Sequence, residues 1–284
     1  AVIHSKGGFM SALQGLANVS DPAVSDTPGI FASFFGPDPL NLLFVVILTS
    51  LGTWGLPQMV QKFYAIKDEK SIKKGTIIST IFALVVAGGS YFLGGFGRLF
   101  SDEIDVAANG YDSIIPTMLS GLSPMLIALV VILVLSASMS TLSSLVIASS
   151  STLTIDFLKD NFIKDMSDKK QVLSIRILVV VFIAISSILA LIQYKSSITF
   201  IAQLMGVSWG ALAGSFLAPF MYSLYSKRVT KASCWVCFIF SSVLMIANIF
   251  FRSSFPTIMQ SPINCGAIAM LAGLVIVPVV SLFT

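Results

Sequence analysis

Long apolar stretches constrain the fold of this chain more than any other feature. Of its 284 residues, 56% are hydrophobic and 11% are charged, and a bilayer core of about 30 Å requires about 20 apolar residues per helix. The stretches lack the period-2 alternation of a transmembrane barrel, so they predict helices. We place seven spans, at residues 39–63, 75–98, 122–157, 172–193, 198–225, 232–252 and 263–283. The expected fold is an all-α membrane bundle of about seven transmembrane helices.

The basic residues indicate which loops face the cytoplasm, because Lys and Arg resist translocation. Lys6, Arg98, Lys195 and Arg252 fall on one side of the predicted bundle, and the other 13 of the 17 basic residues fall on the opposite side. The richer set occupies three loops and comprises Lys62, Lys67, Lys70, Lys73, Lys74, Lys159, Lys164, Lys169, Lys170, Arg176, Lys227, Arg228 and Lys231. We therefore expect a multi-pass protein of the cell membrane. This topology accounts for the net charge of +4, so a nucleic-acid partner is not expected.

Three cysteines raise the question of a metal or redox site, since Cys234 and Cys237 have a C-x-x-C spacing. Both lie in an apolar span. A zinc site would need further His or Cys ligands, yet His4 is the one histidine and Cys265 lies in another span. We expect these small side chains to serve helix packing.

The first span is interrupted by the sequence Gly-Thr-Trp-Gly-Leu-Pro at residues 52–57. Two glycines and a proline weaken a regular helix, because proline removes a backbone hydrogen bond. One interpretation is a simple proline kink. The other is a discontinuous helix whose freed backbone groups meet a substrate near the middle of the membrane.

The third span carries the densest polar run of the chain, without any charge. Helix packing explains such a run, since small polar residues allow helices to approach closely. Cation binding is the alternative, because Ala137, Ser140 and Thr141 share one helical face and hard cations prefer oxygen ligands. The run comprises Ser136, Ser138, Ser140, Thr141, Ser143, Ser144, Ser149, Ser150, Ser151 and Thr152.

Glycines recur at four-residue intervals in the fifth span, at Gly206, Gly210 and Gly214. This spacing predicts a smooth groove in which a neighbouring helix packs closely. Ser208 and Trp209 flank the groove and could face a cavity.

Two stretches resemble the sodium/solute symporter family, which includes proline and pantothenate carriers. The first runs from Gly55 through Pro57 to Ala65 and is followed by a Lys-rich loop. The second runs from Ala137 to Ser144 and on to Asp156. The glycine-rich fifth span, followed by Lys227 and Arg228, is a weaker likeness. Together they make the chain similar to a C-terminal fragment of a sodium/proline symporter-like carrier.

The resemblance implies the second half of a leucine-transporter-type bundle built from two inverted repeats. Residues 1–38 are then an extracellular loop segment, residues 39–231 the second five-helix repeat of the transport core, and residues 232–284 peripheral transmembrane helices. The chain begins at Ala1 rather than Met, which agrees with the expectation that a first repeat precedes it.

The resemblance also implies a sodium site. The carbonyl oxygen of Ala137 and the hydroxyls of Ser140 and Thr141 match the main sodium ligands of the family. Ser143 and Ser144 match positions that hold a second sodium in some members. Sodium is the coupling ion, and no other cofactor is implied. The remaining ligands are expected from a broken helix of the first repeat.

The solute is expected to bind at the interruption of the first span, with Thr49, Thr53 and Trp54 as contacts. At the level of the family it is a small organic molecule such as an amino acid or a carboxylate. Its identity is not readable from these residues.

These observations predict sodium-coupled symport by alternating access in a lipid bilayer. A proton-coupled carrier would place ionisable groups within the membrane, and these spans are almost free of them. An intramembrane enzyme would need a base beside its nucleophile, so enzymatic activity is not expected. The remaining alternative is the membrane sensor domain of a signalling protein built on a symporter-like bundle.

Overall fold

The fold is taken from a computed structural model, which describes residues 2–21, 24–104, 110–196 and 201–284. Within these residues the regular secondary structure is helical, apart from one isolated bridge between Asp21 and Ser25. In chain order the helices are α1 (Val2–Ser5), α2 (Phe9–Asn18), α3 (Pro39–Gly55), α4 (Pro57–Phe63), α5 (Glu69–Gly95), α6 (Ile114–Ser120), α7 (Pro124–Thr152), α8 (Asp168–Ser196), α9 (Ile201–Tyr225), α10 (Lys231–Phe250), α11 (Thr257–Gln260) and α12 (Pro262–Phe283).

Six helical stretches of the described residues are long and apolar enough to cross a membrane. They are Glu69–Ser101, Pro124–Lys159, Asp168–Tyr194, Ile201–Tyr225, Lys231–Phe250 and Pro262–Phe283. The predicted all-α membrane fold is therefore confirmed. The remaining predicted span, residues 39–63, is divided between α3, with 17 residues, and α4, with seven.

Polar residues placed just before apolar runs set the starts of several helices. Asp38 accepts a hydrogen bond from the Asn41 amide at 2.9 Å, one residue before Pro39 opens α3. Thr230 accepts one from the amide of Ser233 at the start of α10. Both side chains satisfy amides that lack a partner within the helix, as N-cap residues do.

The chain forms two compact units. The first, here called the glycine unit, consists of Ile3–Val106 and Phe200–Thr284. The second, here called the serine unit, consists of Ala107–Thr199 with the first two residues of the chain. The boundaries predicted at residues 38 and 231 divide the chain into consecutive segments, whereas these two units are defined by compactness. The assignment of repeats therefore stays a prediction.

In the glycine unit, α9 is the central helix and packs against α3, α10 and α12. Leu48 of α3, Leu217 of α9 and Met270 of α12 are almost completely buried in one apolar cluster. Between membrane helices such a core is stabilised chiefly by van der Waals packing, because lipid tails are as apolar as these side chains.

The three glycines of α9 form a packing surface for α12. A Cβ atom on Gly210 would lie 2.6 Å from the Cα atom of Gly266, and one on Gly206 would lie 2.8 Å from the backbone nitrogen of Ile263. Only residues without a side chain permit this approach. The groove predicted from Gly206, Gly210 and Gly214 is therefore confirmed, and α12 occupies it.

Ion pairs connect the N-terminal segment of the glycine unit to the end of α5. Arg98 Nη1 lies 2.6 Å from Asp21 Oδ2, and Lys6 Nζ lies 3.3 Å from Glu103 Oε1. These four residues are separated by up to 97 positions in the chain. Lys6, Asp21 and Glu103 belong to segments predicted to lie outside the membrane on the side poor in basic residues, and Arg98 ends the predicted span at residues 75–98.

The serine unit is built around α7 and α8, which pack against each other. Helix α7 is followed directly by a π-helical segment, Leu153–Lys159, which also contacts α8. The sequence predicted one uninterrupted helix over residues 122–157, so this change of helical geometry is new information from the structure.

Candidate functional site

The predicted sodium ligands lie together on one face of α7. Ala137, Ser140 and Thr141 are all exposed within the serine unit, and their spacing of three and four residues aligns them along the helix. The Ser140 hydroxyl donates a hydrogen bond of 2.9 Å to the carbonyl oxygen of Ala137. The face therefore presents neutral oxygen atoms to its surroundings.

This hydrogen bond changes the expected chemistry of Ala137. A carbonyl oxygen has two lone pairs, and in a helix one of them accepts the amide four residues later. The second lone pair is the one that a cation would use. In this structure it accepts the Ser140 hydroxyl, so Ala137 can coordinate an ion only after that hydroxyl turns away.

The hydroxyl of Thr141, unlike that of Ser140, is not bonded to a carbonyl oxygen of the helix. Within the described residues its hydroxyl makes no hydrogen bond, while its carbonyl oxygen accepts the hydroxyl of Ser144 at 2.8 Å. The hydroxyl oxygens of Ser140 and Thr141 both keep their lone pairs, but only the Ser140 hydroxyl occupies a carbonyl oxygen that the ion needs. Thr141 is the side chain of this face that is best prepared to bind a cation.

The two positions considered for a second sodium are also bonded to their own helix. Ser143 donates to the carbonyl oxygen of Met139 at 2.8 Å, and Ser144 donates to that of Thr141. Such back-bonding is common for serine in helices. It occupies the hydrogen of each hydroxyl and leaves its oxygen lone pairs for other partners.

Two further hydroxyls of the serine unit form a buried pair that the sequence did not single out. Ser150 and Thr154, one helical turn apart, are completely buried. Neither hydroxyl has a hydrogen-bond partner in the described part of the chain. They flank the point where α7 gives way to the π-helical segment, a geometry that is frequent at functional sites. Ser150 was visible only as one member of the polar run.

The predicted interruption of the first span is confirmed but is narrower than expected. Helix α3 continues to Gly55, Leu56 alone has an extended backbone, and α4 begins at Pro57. Because proline has no amide hydrogen, the carbonyl oxygen of Thr53 cannot receive its usual bond from residue 57. One acceptor is therefore freed at the break.

The two glycines beside the break have a packing role. A Cβ atom on Gly52 would lie 2.7 Å from Cε3 of Trp209, and one on Gly55 would lie 2.7 Å from the Cα atom of Ala213. Both glycines are helical and buried. They allow α3 to approach α9 closely, whereas the sequence indicated that they weaken the helix.

The proposed solute contacts lie on α3 just before this break. Thr49 and Thr53 are half-buried, and their hydroxyls donate to the carbonyl oxygens of Val45 at 2.8 Å and Ser50 at 2.9 Å. Trp54 is 57% exposed. A solute at this position would therefore meet hydroxyl oxygens as acceptors and an indole ring.

The groove residues of α9 have different surroundings. Trp209 is half-buried against Gly52, so it fills a packing position, while Ser208 is exposed.

The C-x-x-C pair agrees with the packing interpretation, since Cys237 is buried and its thiol donates to the carbonyl oxygen of Gly214 at 3.3 Å. Cys234 and Cys265 are free thiols.

The predicted sodium face belongs to the serine unit, and the broken helix belongs to the glycine unit. From the resemblance we expect the sodium face to lie next to the interruption at residues 52–57, and this expectation stays a prediction. Within the described residues, no group of three or more His, Cys, Asp or Glu side chains could hold a metal ion. Hydroxyl and carbonyl oxygens are thus the ligands to consider.

Comparison with known proteins decides the family. A profile described as "Sodium:solute symporter family" matches residues 1–241. The chain belongs to this family. The resemblance found in the sequence is confirmed, and with it the prediction of a multi-pass membrane protein. The family is one of symporters, not of enzymes.

Several known transporters are similar to this member of the family. It is 26% identical to the osmoregulated proline transporter OpuE of Bacillus subtilis strain 168 over 72% of its length. It is 27% identical to the sodium/pantothenate symporter of Escherichia coli K12 over 86%, and 29% identical to a sodium/proline symporter of Staphylococcus aureus over 69%. No solved structure matches this chain.

The matched region is only part of each of these relatives. It covers 41% of the Bacillus subtilis transporter, 48% of the Escherichia coli symporter and 40% of the Staphylococcus aureus symporter. The chain thus spans less than half of the length of these sodium:solute symporter family members.

Proposed function

We propose that this chain forms part of a sodium-coupled symporter that moves a small organic solute by alternating access. The observation that supports it best is the exposed face of Ala137, Ser140 and Thr141, which offers oxygen ligands without a fixed negative charge. Neutral oxygens suit a monovalent cation that must be bound and then released in each cycle. Sodium binding would favour one conformation of the carrier over the other and so increase its affinity for the solute.

In this proposal Thr141 is the first ligand that sodium meets. Its hydroxyl is free, whereas Ser140 must release the carbonyl oxygen of Ala137 before all three oxygens coordinate the ion. Ser143 and Ser144 are proposed as ligands of a second sodium. A sodium ion bound by three oxygens needs further partners, which we assign to parts of a complete carrier outside residues 137–144.

The solute is proposed to bind at the break between α3 and α4. The carbonyl oxygen of Thr53, freed by Pro57, can accept a hydrogen bond, and the backbone at a discontinuous helix is a common substrate site in transporters. Thr49 and Trp54 would contribute a hydroxyl and an aromatic surface. Proline and pantothenate, named in the relatives, are the first solutes to test.

The same proposal includes a division of the chain into segments of a carrier. Residues 39–231 would form the second five-helix repeat of the transport core, with residues 1–38 as an extracellular segment and residues 232–284 as peripheral helices. Transport then requires a first repeat to complete each site.

The test is uptake of radiolabelled proline and pantothenate into cells that express the gene product containing this chain. Uptake should require external sodium and should stop when choline replaces sodium. With sodium present outside the cells, uptake should persist at first after a protonophore is added. Uptake that is indifferent to sodium would contradict the proposal. Absence of uptake of any amino acid or carboxylate tested would favour a sensor role.

A further inference from the structure

A groove of about 330 Å³ lies between α9 and α10 in the glycine unit. Its walls are formed by Phe216, Pro219, Cys234, Trp235 and Phe238, and Lys231 stands at the end where α10 begins. The groove is an indentation of a membrane-spanning surface, and neither the sodium face nor the helix break contributes to it.

Pro219 of α9 forms part of the groove wall. Proline inside a helix removes a backbone hydrogen bond and bends the helix, and Pro219 lies within α9. Three aromatic rings also line the walls. Phe216 and Trp235 each pack edge-to-face against Phe238, with 5.9 Å between the ring centroids of each pair. The groove therefore presents an apolar and largely aromatic surface.

The one hydroxyl that lines the groove is already satisfied. Ser215 donates a hydrogen bond of 2.6 Å to the carbonyl oxygen of Ala211 in its own helix. An occupant of the groove therefore meets hydrocarbon and aromatic atoms along its length. This is the chemistry that an acyl chain prefers.

Lys231 lines the groove and carries a positive charge without an internal counter-ion. Lys227 and Arg228 lie in the turn before α10, Lys231 is its first residue, and residues 201–284 contain no Asp or Glu. Neither of the ion pairs found in the described residues includes these three. Lys231 also stands at a helix N-terminus, where the helix dipole repels a cation and attracts an anion.

We propose that this groove binds an acyl chain of an anionic phospholipid, whose phosphate contacts Lys231 and the start of α10. Charge complementarity selects the lipid class, because basic sites at the ends of membrane helices attract anionic headgroups. The bound lipid would fix the relative position of α9 and α10. This inference concerns the membrane surface and does not depend on transport.

The groove contains its own reporter, since Trp235 is one of three tryptophans in the chain. In a Trp54→Phe, Trp209→Phe background, Trp235 is the one indole emitter. The 284-residue chain is reconstituted into vesicles of phosphatidylcholine and phosphatidylglycerol in fixed proportion, with bromine atoms on the acyl chains of either one lipid or the other. Bromine quenches an indole only at contact range, so the comparison reports which lipid occupies the groove.

Brominated phosphatidylglycerol should quench Trp235 more strongly than brominated phosphatidylcholine at the same fraction. Lys231→Gln should reduce this preference about fivefold, the contribution of one basic residue near a headgroup. Arg252→Gln, a matched loss of charge at the other end of α10, should leave it unchanged. Circular dichroism must give equal helix content for all variants.

Three results would overturn the proposal. Equal quenching by both lipids would mean that the groove holds bulk lipid without selection. Absence of quenching by either lipid would mean that protein, such as a second copy of the chain, covers the groove. A preference that survives Lys231→Gln would remove the assigned headgroup contact.

Discussion

Ser140 and Ala137, two proposed ligands of the same ion, are hydrogen-bonded to each other across 2.9 Å on α7. Sodium binding must break this bond, which contributes about 0.5–1.5 kcal/mol when formed within a protein. Coordination of the ion by both released oxygens must exceed this cost. Thr141 carries no such cost, because its hydroxyl has no partner in the described part of the chain. The three ligands are therefore not equivalent.

We expect Thr141→Ala to impair sodium dependence more than Ser140→Ala. Loss of Thr141 removes a ligand outright and should raise the sodium concentration for half-maximal uptake about tenfold or more, as changes at metal sites do. Loss of Ser140 removes a ligand but frees the second lone pair of Ala137, which compensates in part. The measurement is solute uptake as a function of sodium concentration by the gene product containing this chain.

Two controls accompany this pair. Thr141→Ser keeps the hydroxyl and should restore most of the sodium affinity. Ser90→Ala removes an exposed hydroxyl of α5 that is bonded to its own helix in the same way, to Val86 at 2.8 Å, and should have no effect. An equal or larger effect for Ser140→Ala would refute the ranking of the two ligands.

The close approach of α9 and α12 predicts a large cost for Gly210→Ala. The new Cβ atom would lie 2.6 Å from the Cα atom of Gly266, so the helices must separate. Overpacking of this kind costs about 1–3 kcal/mol. The measurement is the thermal unfolding midpoint in detergent, together with the yield of folded protein.

Gly88→Ala is the matched control for this substitution. Gly88 is also in the middle of a membrane-spanning helix, but a Cβ atom there would meet nothing within 4 Å. Alanine favours helix over glycine, so this variant should be as stable as the original chain or slightly more so. Equal destabilisation by both substitutions would argue against a packing role of Gly210.

The cap of α5 predicts a pH dependence of stability. Asp68 accepts a hydrogen bond of 2.7 Å from the Ser71 amide, and the bonds from Ser71 hold the pKa of Asp68 below its ordinary value. A lowered pKa in the folded chain means that the carboxylate stabilises the fold above the ordinary Asp pKa of about 3.9. This contribution is lost as the pH falls through the lowered pKa.

The stability difference between the original chain and Asp68→Ala should therefore be constant near neutral pH and should vanish in acid. Asp68→Asn keeps a capping side chain without a titratable group, so its stability relative to Asp68→Ala should not change with pH. The measurement is the thermal unfolding midpoint of the three proteins over this pH range. A difference that persists in acid would show that the carboxylate charge is not what stabilises the cap.

Some features of this fold could be read from local sequence because one physical constraint determines each of them. Length and apolarity are enough to locate membrane helices, and the four-residue glycine spacing is enough to predict a tight helix contact. Pro57, following two glycines, indicated an interruption or a kink, but Pro219 and Pro278 lie inside unbroken helices, so proline alone does not distinguish the two. The partner of the glycine groove was not predictable, since it depends on α12, which begins more than 50 residues after Gly206.

Features that depend on side-chain rotamers or distant neighbours could not be predicted from the sequence. The spacing of Ser140 and Ala137 indicates a shared face, but not that the hydroxyl would use the carbonyl oxygen the ion needs. The burial of Ser150 and Thr154 and the π-helical turn beside them have no local sequence signal. Gly52 was interpreted as a helix-weakening residue because its neighbour Trp209 lies far along the chain.

A double substitution at Gly52 and Trp209 separates two roles of Gly52. If Gly52 is needed for contact with Trp209, the 2.7 Å clash of a new Cβ atom should destabilise Gly52→Ala by about 1–3 kcal/mol. A smaller side chain in Trp209→Leu should then accommodate the methyl group. The double variant should be more stable than the sum of the single effects implies, with a coupling of about 0.5–3 kcal/mol. Unfolding midpoints of the four proteins in detergent give this coupling. If Gly52 instead serves as a hinge beside Leu56, Gly52→Ala will have the same effect with either residue at position 209.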